Sequence, residues 1–257
     1  MYEYMQRGQK AALIGLYSER IIIELINTDN QFKNLIKRCL KNLGFNIKGN
    51  IKASKNEVKI DIYIEGKGIK IGASIKTTSL TSFHHLDRRW LKKWKETINI
   101  SDDIYKILKD AIFRKSQNRS ERFILSSDEE KVKSFFLEHI NKIINEIFTH
   151  NENDLKLFII NGQIKYKLYL YKMEDVVDFL IHNIKNKISF SSKGIIKLGD
   201  FITMQRKGGD GTHISIPKTD LNHPGNQLQF KFSPIKFLEY LEKTKAIKFC
   251  IIPFKIE

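Results

Sequence analysis

The chain has 257 residues, enough to bury one good core, with 45 Lys and Arg against 29 Asp and Glu and a net charge of +16. A hydrophobic share of 41%, with 17 Phe and 9 Tyr, excludes a disordered chain. No apolar run reaches the roughly 18–20 residues that cross a bilayer, and the opening MYEYMQRGQK has no signal-peptide core, so a cytoplasmic protein with no membrane role is expected. Cys39 and Cys250 have no CxxC partner, which argues against a zinc knot or a disulfide framework. Two reduced, buried thiols fit the cytosol.

A charge of this size attracts polyanions, and nucleic acid is the expected partner. The competing explanation is a chain rich in Lys, Ile and Asn, as an AT-rich genome imposes. The lysines are spread along the chain rather than gathered on one amphipathic helix, which disfavours a membrane surface.

In chain order, apolar residues at helical spacing predict a helix over about 10–27 and a second over 32–43, stopped by Gly44. Two strands follow, about 58–65 and 69–77, turning at Gly66 and Gly68. Residues 82–101 predict a helix with Trp90 and Trp94 on one face. Another helix starts at Ser101, with Asp102 and Asp103 in its first turn. Ser127 and Glu130 form a candidate capping box for a helix running to Phe148. From residue 155 the pattern turns to strands, interrupted by a helix from Met173, and all four prolines lie after residue 216. The expected architecture is α/β or α+β: one domain over 1–257, a mixed β-sheet core flanked by helices, a helical insertion at about 98–150 and a C-terminal segment at about 200–232.

Chemistry concentrates in the predicted hairpin KIDIYIEGKGIKIGASIKTT, residues 59–78. Residues two apart on a strand share a face, so Ser74 and Lys76 point the same way, toward a site that Asp61 would line. Phosphodiester hydrolysis uses a hard divalent cation held by carboxylates on rigid strands, with a cation nearby to stabilise the developing charge. Asp61, the turn and Ser74-Ile75-Lys76 resemble the signature of the PD-(D/E)xK nuclease superfamily, which includes many type II restriction endonucleases. Two departures stand out: Ile60 replaces the proline, and Ser74 replaces the second acid. One subset of restriction enzymes is similar in having a small residue before the lysine, with the acid supplied by the following helix.

The resemblance implies a restriction-endonuclease-like fold and Mg²⁺-dependent cleavage of double-stranded DNA at a short specific sequence. Asp61 would be the principal metal ligand, Lys76 the catalytic lysine, and Glu19 on the first helix a further catalytic acid and ligand, with Ser74 in the second acid's place. Asp87 is the candidate for the missing acid, with Glu96 and Glu24 as competitors. It further implies a homodimer and a cognate DNA methyltransferase as genetic partner. Alternatives are a non-catalytic DNA- or RNA-binding protein of the same fold, or a repair or junction-resolving nuclease.

Arg88 and Arg89 are candidate phosphate contacts. In residues 202–232, Gln205, Arg206 and Lys207 precede a Gly-rich loop, and Gln227, Gln229 and Lys231 alternate with apolar residues. These six side chains suit base edges and phosphates. GGDG at 208–211 lacks the P-loop spacing, His84 and His85 lack the partners of an HNH site, and GxSxG, HExxH and GxGxxG are absent.

Overall fold

The computed structural model describes residues 2–55, 60–78, 83–209 and 214–255, with side chains from residue 13 onward. Among these residues the helices are α1 (Tyr2–Thr28), α2 (Asn30–Asn42), α3 (Leu91–Ile98), α4 (Asp102–Gln117), α5 (Glu129–Thr149), α6 (Met173–Ile184) and α7 (Pro234–Thr244). The strands are β1 (Lys48–Lys55), β2 (Ile62–Lys67), β3 (Ile69–Thr77), β4 (His84–Arg89), β5 (Leu155–Gly162), β6 (Lys167–Lys172), β7 (Ile188–Phe190), β8 (Ile196–Leu198), β9 (Ile202–Arg206), β10 (Leu228–Phe232) and β11 (Phe249–Pro253). No helix among them is long and apolar enough to cross a membrane. The chain divides into two compact units, one of residues 1–82, 149–179 and 237–257, the other of 83–148 and 180–236.

The first unit holds a mixed sheet in the order β1-β2-β3-β5-β6-β11, in which only the β3–β5 pair is parallel. β5 is buried along almost its whole length, so LKLFIING reads as a near-continuous apolar run, as a parallel neighbour covered on both faces must. On one face Ile62, Ile64, Ala73, Ile75, Leu157 and Ile159 pack with Ile22 and Ile26 of α1 and Ile36 and Leu40 of α2. Elsewhere in this unit the rings of Phe158 and Tyr171 meet Phe237 of α7 edge-on. Asp29 caps α2 by accepting from the amides of Gln31 and Phe32, and Gly44 follows its end at φ +91°. The cysteines differ from expectation. α2 and β11 bring the Cα atoms of Cys39 and Cys250 within 5.5 Å, inside disulfide range, and the sulfurs are bonded.

The second unit holds an antiparallel sheet in the order β4-β10-β9-β8-β7. β9 and β10 alternate strictly between buried and half-exposed residues, the mark of a sheet with one face covered and one in water. The covered face carries Leu228, Phe230, Phe232, Ile202, Met204 and Leu198, all buried. Trp94 of α3 stands edge-on against Phe230 at 5.0 Å, and Phe148 of α5 against Phe232 at 5.6 Å.

Here the structure departs from the local pattern. Residues 84–89, expected to be helical, form β4 because they pair along β10, from Leu228 opposite Arg89 to Phe232 opposite His84. The helix begins only at Leu91, after Trp90 in extended backbone. The two tryptophans therefore separate: Trp94 is buried and Trp90 is 42% exposed. Ser127 lies in a short 3-10 turn before α5 rather than at a capping box.

Candidate active site

The site is built on the β2–β3 hairpin of the first unit. β2 begins one residue later than Asp61, but the amide of Asp61 still donates to the Ala73 carbonyl at 3.0 Å, so the residue is held in register opposite the end of β3. The hairpin turns through Gly68 at φ +79°, a conformation that favours glycine. Gly72 has a different reason to be glycine: a Cβ there would lie 2.8 Å from the Asp154 carbonyl, to which its own amide donates. That close approach marks where β3 and β5 come together.

With β2 starting at residue 62, the Asp61 side chain takes the place of a ladder partner. Its Oδ2 accepts from the Ile75 amide at 2.5 Å and from the Ser74 hydroxyl at 3.2 Å. Ser74 Oγ in turn accepts from Lys76 Nζ at 3.0 Å, and that ammonium lies 3.8 Å from Asp61 Oδ2. Asp61, Ser74 and Lys76 thus form one connected chain, as the two-residue spacing on β3 requires. Ser74 is buried, while the side chains of Asp61 and Lys76 are 25% and 20% exposed, open enough for a substrate to reach.

Glu19 joins this group from α1. The helix is anchored at two points. The Ser18 hydroxyl, fully buried, accepts from Asn161 Nδ2 of β5 at 3.2 Å. Near the helix end, Asn27 both donates to the carbonyl of Ala53 and accepts from its amide, each at 2.9 Å. The residue next to Ser18 is therefore fixed in place. Burial pushes the Glu19 carboxyl above its ordinary value, and the negative charge of Asp61 pushes it further, against Lys55 and Lys76, which pull it down. Two carboxylates that repel each other beside a lysine suit a hard divalent cation, whose charge would relieve both. Asp61 and Glu19 present carboxylate oxygens of the kind such an ion binds.

Asp87 stands on β4 of the second unit, with its carboxylate engaged by Arg89 through Nη2 at 2.5 Å and Nε at 3.1 Å. Glu96 on α3 is exposed, with Lys93 3.4 Å away, and Glu24 is exposed on α1.

The basic residues sort by strand parity. Arg88 lies on the solvent face of β4, whereas Arg89 is on the covered face, bound to Asp87 and to Glu146 at 2.6 Å, with its guanidinium 4.8 Å from the Trp94 ring centre. Gln205, Lys207, Gln229 and Lys231 are half-exposed. Arg206 is buried between them in sequence, and its Nε donates to Asn226 at 2.7 Å. Asn226 also donates to the carbonyls of Lys218 and Asp220, so Arg206 braces the loop before β10. Gln227 is buried where the chain enters β10, and its carbonyl accepts from the Lys207 amide at 2.8 Å. Asp210 and Gly211 lie outside the described residues. Sequence reasoning passed over Ser18, Asn27 and Asn161. Their roles depend on contacts 26 and 143 residues apart, and a buried Asn flanked by apolar residues in a strand, as in Ile160-Asn161-Gly162, was the available signal.

A family model, R.HinP1I restriction endonuclease, matches residues 44–238. The chain belongs to this family. It is a type II, site-specific endodeoxyribonuclease of the PD-(D/E)xK kind, and the family generally uses a divalent metal ion. The fold is similar to that in a crystal structure of restriction endonuclease MspI in complex with its cognate DNA, with a TM-score of 0.56 at 15% identity over 88% of this chain and 92% of that one. No curated protein matches. Glu19 precedes the matched segment, whereas Asp61, Ser74 and Lys76 fall within it.

Proposed function

We propose that this endonuclease is Mg²⁺-dependent and cuts double-stranded DNA at the Asp61–Ser74–Lys76 chain. The observation that carries this reading is the hydrogen-bonded run from Asp61 through Ser74 to Lys76 beside a carboxyl, Glu19, whose charged form is disfavoured until a cation arrives. Asp61 and Glu19 hold the metal, and oxygen ligands favour Mg²⁺ over softer ions. When bound, the ion supplies Lewis-acid polarisation of the scissile phosphate and a more acidic water. Lys76 orients that water and places its charge against the negative charge growing on the phosphoryl oxygens. Ser74 stands where the superfamily has a second acid. It holds Lys76 toward Asp61 and keeps a third negative charge out of the site.

The net charge of +16 supports binding to duplex DNA through Arg88, Gln205, Lys207, Gln229 and Lys231. Arg89, Arg206 and Gln227 support that surface from within. A homodimer suits palindromic sites, and Leu13, Leu16 and Tyr17, exposed on α1, offer it an apolar stripe. A DNA methyltransferase protecting the same sequence is the genetic partner, and the cytoplasm the compartment.

The test is digestion of unmethylated phage DNA by purified protein with Mg²⁺ or with EDTA. Discrete fragments that need Mg²⁺, with ends sharing one short sequence, are the expected result. Intact DNA across Mg²⁺, Mn²⁺ and Ca²⁺ would overturn the reading.

A further inference from the structure

The solvent face of the five-stranded sheet is polar in two rows set by register. In the first, Arg88 of β4, Gln229 of β10 and Gln205 of β9 stand directly opposite one another. In the second, Lys231 of β10 faces His85 on one side and Thr203 on the other, and Thr203 faces Lys197 of β8. No carboxylate stands in either row. The β9–β10 pair is a two-stranded ribbon of the width that the DNA major groove admits. Adjacent strands lie about 4.8 Å apart, so the three steps from β4 to β8 span about 14 Å, close to the roughly 12 Å width of that groove. Arg88 on β4 and Lys197 on β8 thus stand on the two strands that flank the ribbon, one in each row.

From this spacing we propose that Gln205, Gln229 and Lys231 contact base edges in the major groove, while Arg88 and Lys197 clamp the phosphates on either side. The assignment refines the DNA-binding reading above and rests on it. It adds Lys197, and it divides the surface into residues that choose a sequence and residues that only hold it. Burial with no opposing acid pulls the Lys231 ammonium below its ordinary value. Burial, and then Arg88, does the same to Lys207. Both are relieved by an anionic or acceptor-rich partner such as guanine N7 and O6 or a phosphate.

The experiment selects duplexes bound by the full chain from a randomised pool in Ca²⁺, so that its outcome does not depend on cleavage, and then measures affinity against salt. The native protein is expected to enrich one short motif. Gln205→Ala and Gln229→Ala are expected to enrich a motif relaxed at one or two positions. Arg88→Ala and Lys197→Ala should keep the motif and flatten the dependence of log affinity on log salt by about 0.9 for each lost phosphate, with Lys197→Arg restoring it. A motif left intact by both glutamine variants, or a salt slope unmoved by both Arg88→Ala and Lys197→Ala, would overturn the assignment. Specific binding by a protein that fails the phage-DNA digestion would instead sink the nuclease reading and leave this one standing.

Discussion

Replacing Lys76 with Met separates catalysis from folding at this site. The ammonium lies 3.8 Å from Asp61 Oδ2, so a phosphoryl oxygen that a cation would draw to this carboxylate would come within reach of its charge. At an effective dielectric of about 20, a unit charge about 4 Å away contributes about 4 kcal/mol. Loss of one preorganised donor to a developing oxyanion is measured at about 2.7–4 kcal/mol, so a rate loss of about 10²–10³ is expected. The cost to folding is much smaller. The Lys76–Asp61 pair is partly exposed, which limits it to about 1 kcal/mol, and Asp61 keeps the Ile75 amide and the Ser74 hydroxyl. Met retains the apolar stem, so the melting temperature should fall by only about 2–4 °C. Single-turnover cleavage with enzyme in excess, alongside thermal unfolding, measures both. A variant that unfolds like the native protein and cleaves within tenfold of it would refute the role given to Lys76.

Ser74→Ala removes the link between Asp61 and Lys76, yet the ammonium can then turn to Asp61 directly. A net hydrogen bond is worth about 1 kcal/mol, so single-turnover cleavage should slow by about five- to tenfold, and a loss beyond about a hundredfold would mean that Ser74 itself meets the reacting atoms. At Glu242, burial raises the carboxyl, but hydrogen bonds from Lys165 and Tyr169 outweigh it and hold the group below its ordinary 4.5. A depressed carboxyl stabilises above its unfolded value and loses that contribution as pH falls. The melting-temperature gap between native protein and Glu242→Gln should therefore be largest near neutrality and close below about pH 4.5, whereas a constant gap would refute the pairing. The Cys39–Cys250 bond joins residues 211 apart, and closing a loop of that length stabilises by up to about 5 kcal/mol in the chain-entropy account. Reductant, or the Cys39→Ala, Cys250→Ala double variant, should lower the melting temperature by roughly 10 °C; an unchanged value would show that the bond is not formed in solution.

The parts of the fold visible in the sequence are those whose pattern is local. α1, α2 and the β2–β3 hairpin follow from apolar spacing and turn glycines. β4 was hidden because HHLDRR has no strand alternation of its own; its partner, β10, lies about 140 residues further on, and Asp87 and Arg89 are paired inside the unit. The disulfide was hidden for the same kind of reason. Nothing between residues 39 and 250 announces that α2 and β11 become neighbours.

The candidate site divides along the same line. Asp61, Ser74 and Lys76 were legible because a hairpin converts sequence spacing directly into proximity, and Glu19 because a resemblance placed an acid on the first helix. For the DNA surface, residue type alone could not tell one arginine from its neighbour. Arg88 and Arg89 are adjacent and chemically identical, but a strand sends them to opposite faces, one to water and the other to Asp87, Glu146 and Trp94. The triplet Gln205-Arg206-Lys207 splits in the same way, with the middle residue turned inward to Asn226. A basic count therefore overstates the binding surface, and a one-residue error in register would invert it. Arg88 and Arg89 consequently give opposite signatures. Arg88→Ala should weaken DNA binding and leave unfolding almost unchanged. Arg89→Ala removes the cation shared by two buried carboxylates, and breaking a buried pair costs about 3–5 kcal/mol. Thermal unfolding and salt-dependent binding of the two variants would expose an exchange of these effects, and an exchange would mean that the register of β4 on β10 is wrong.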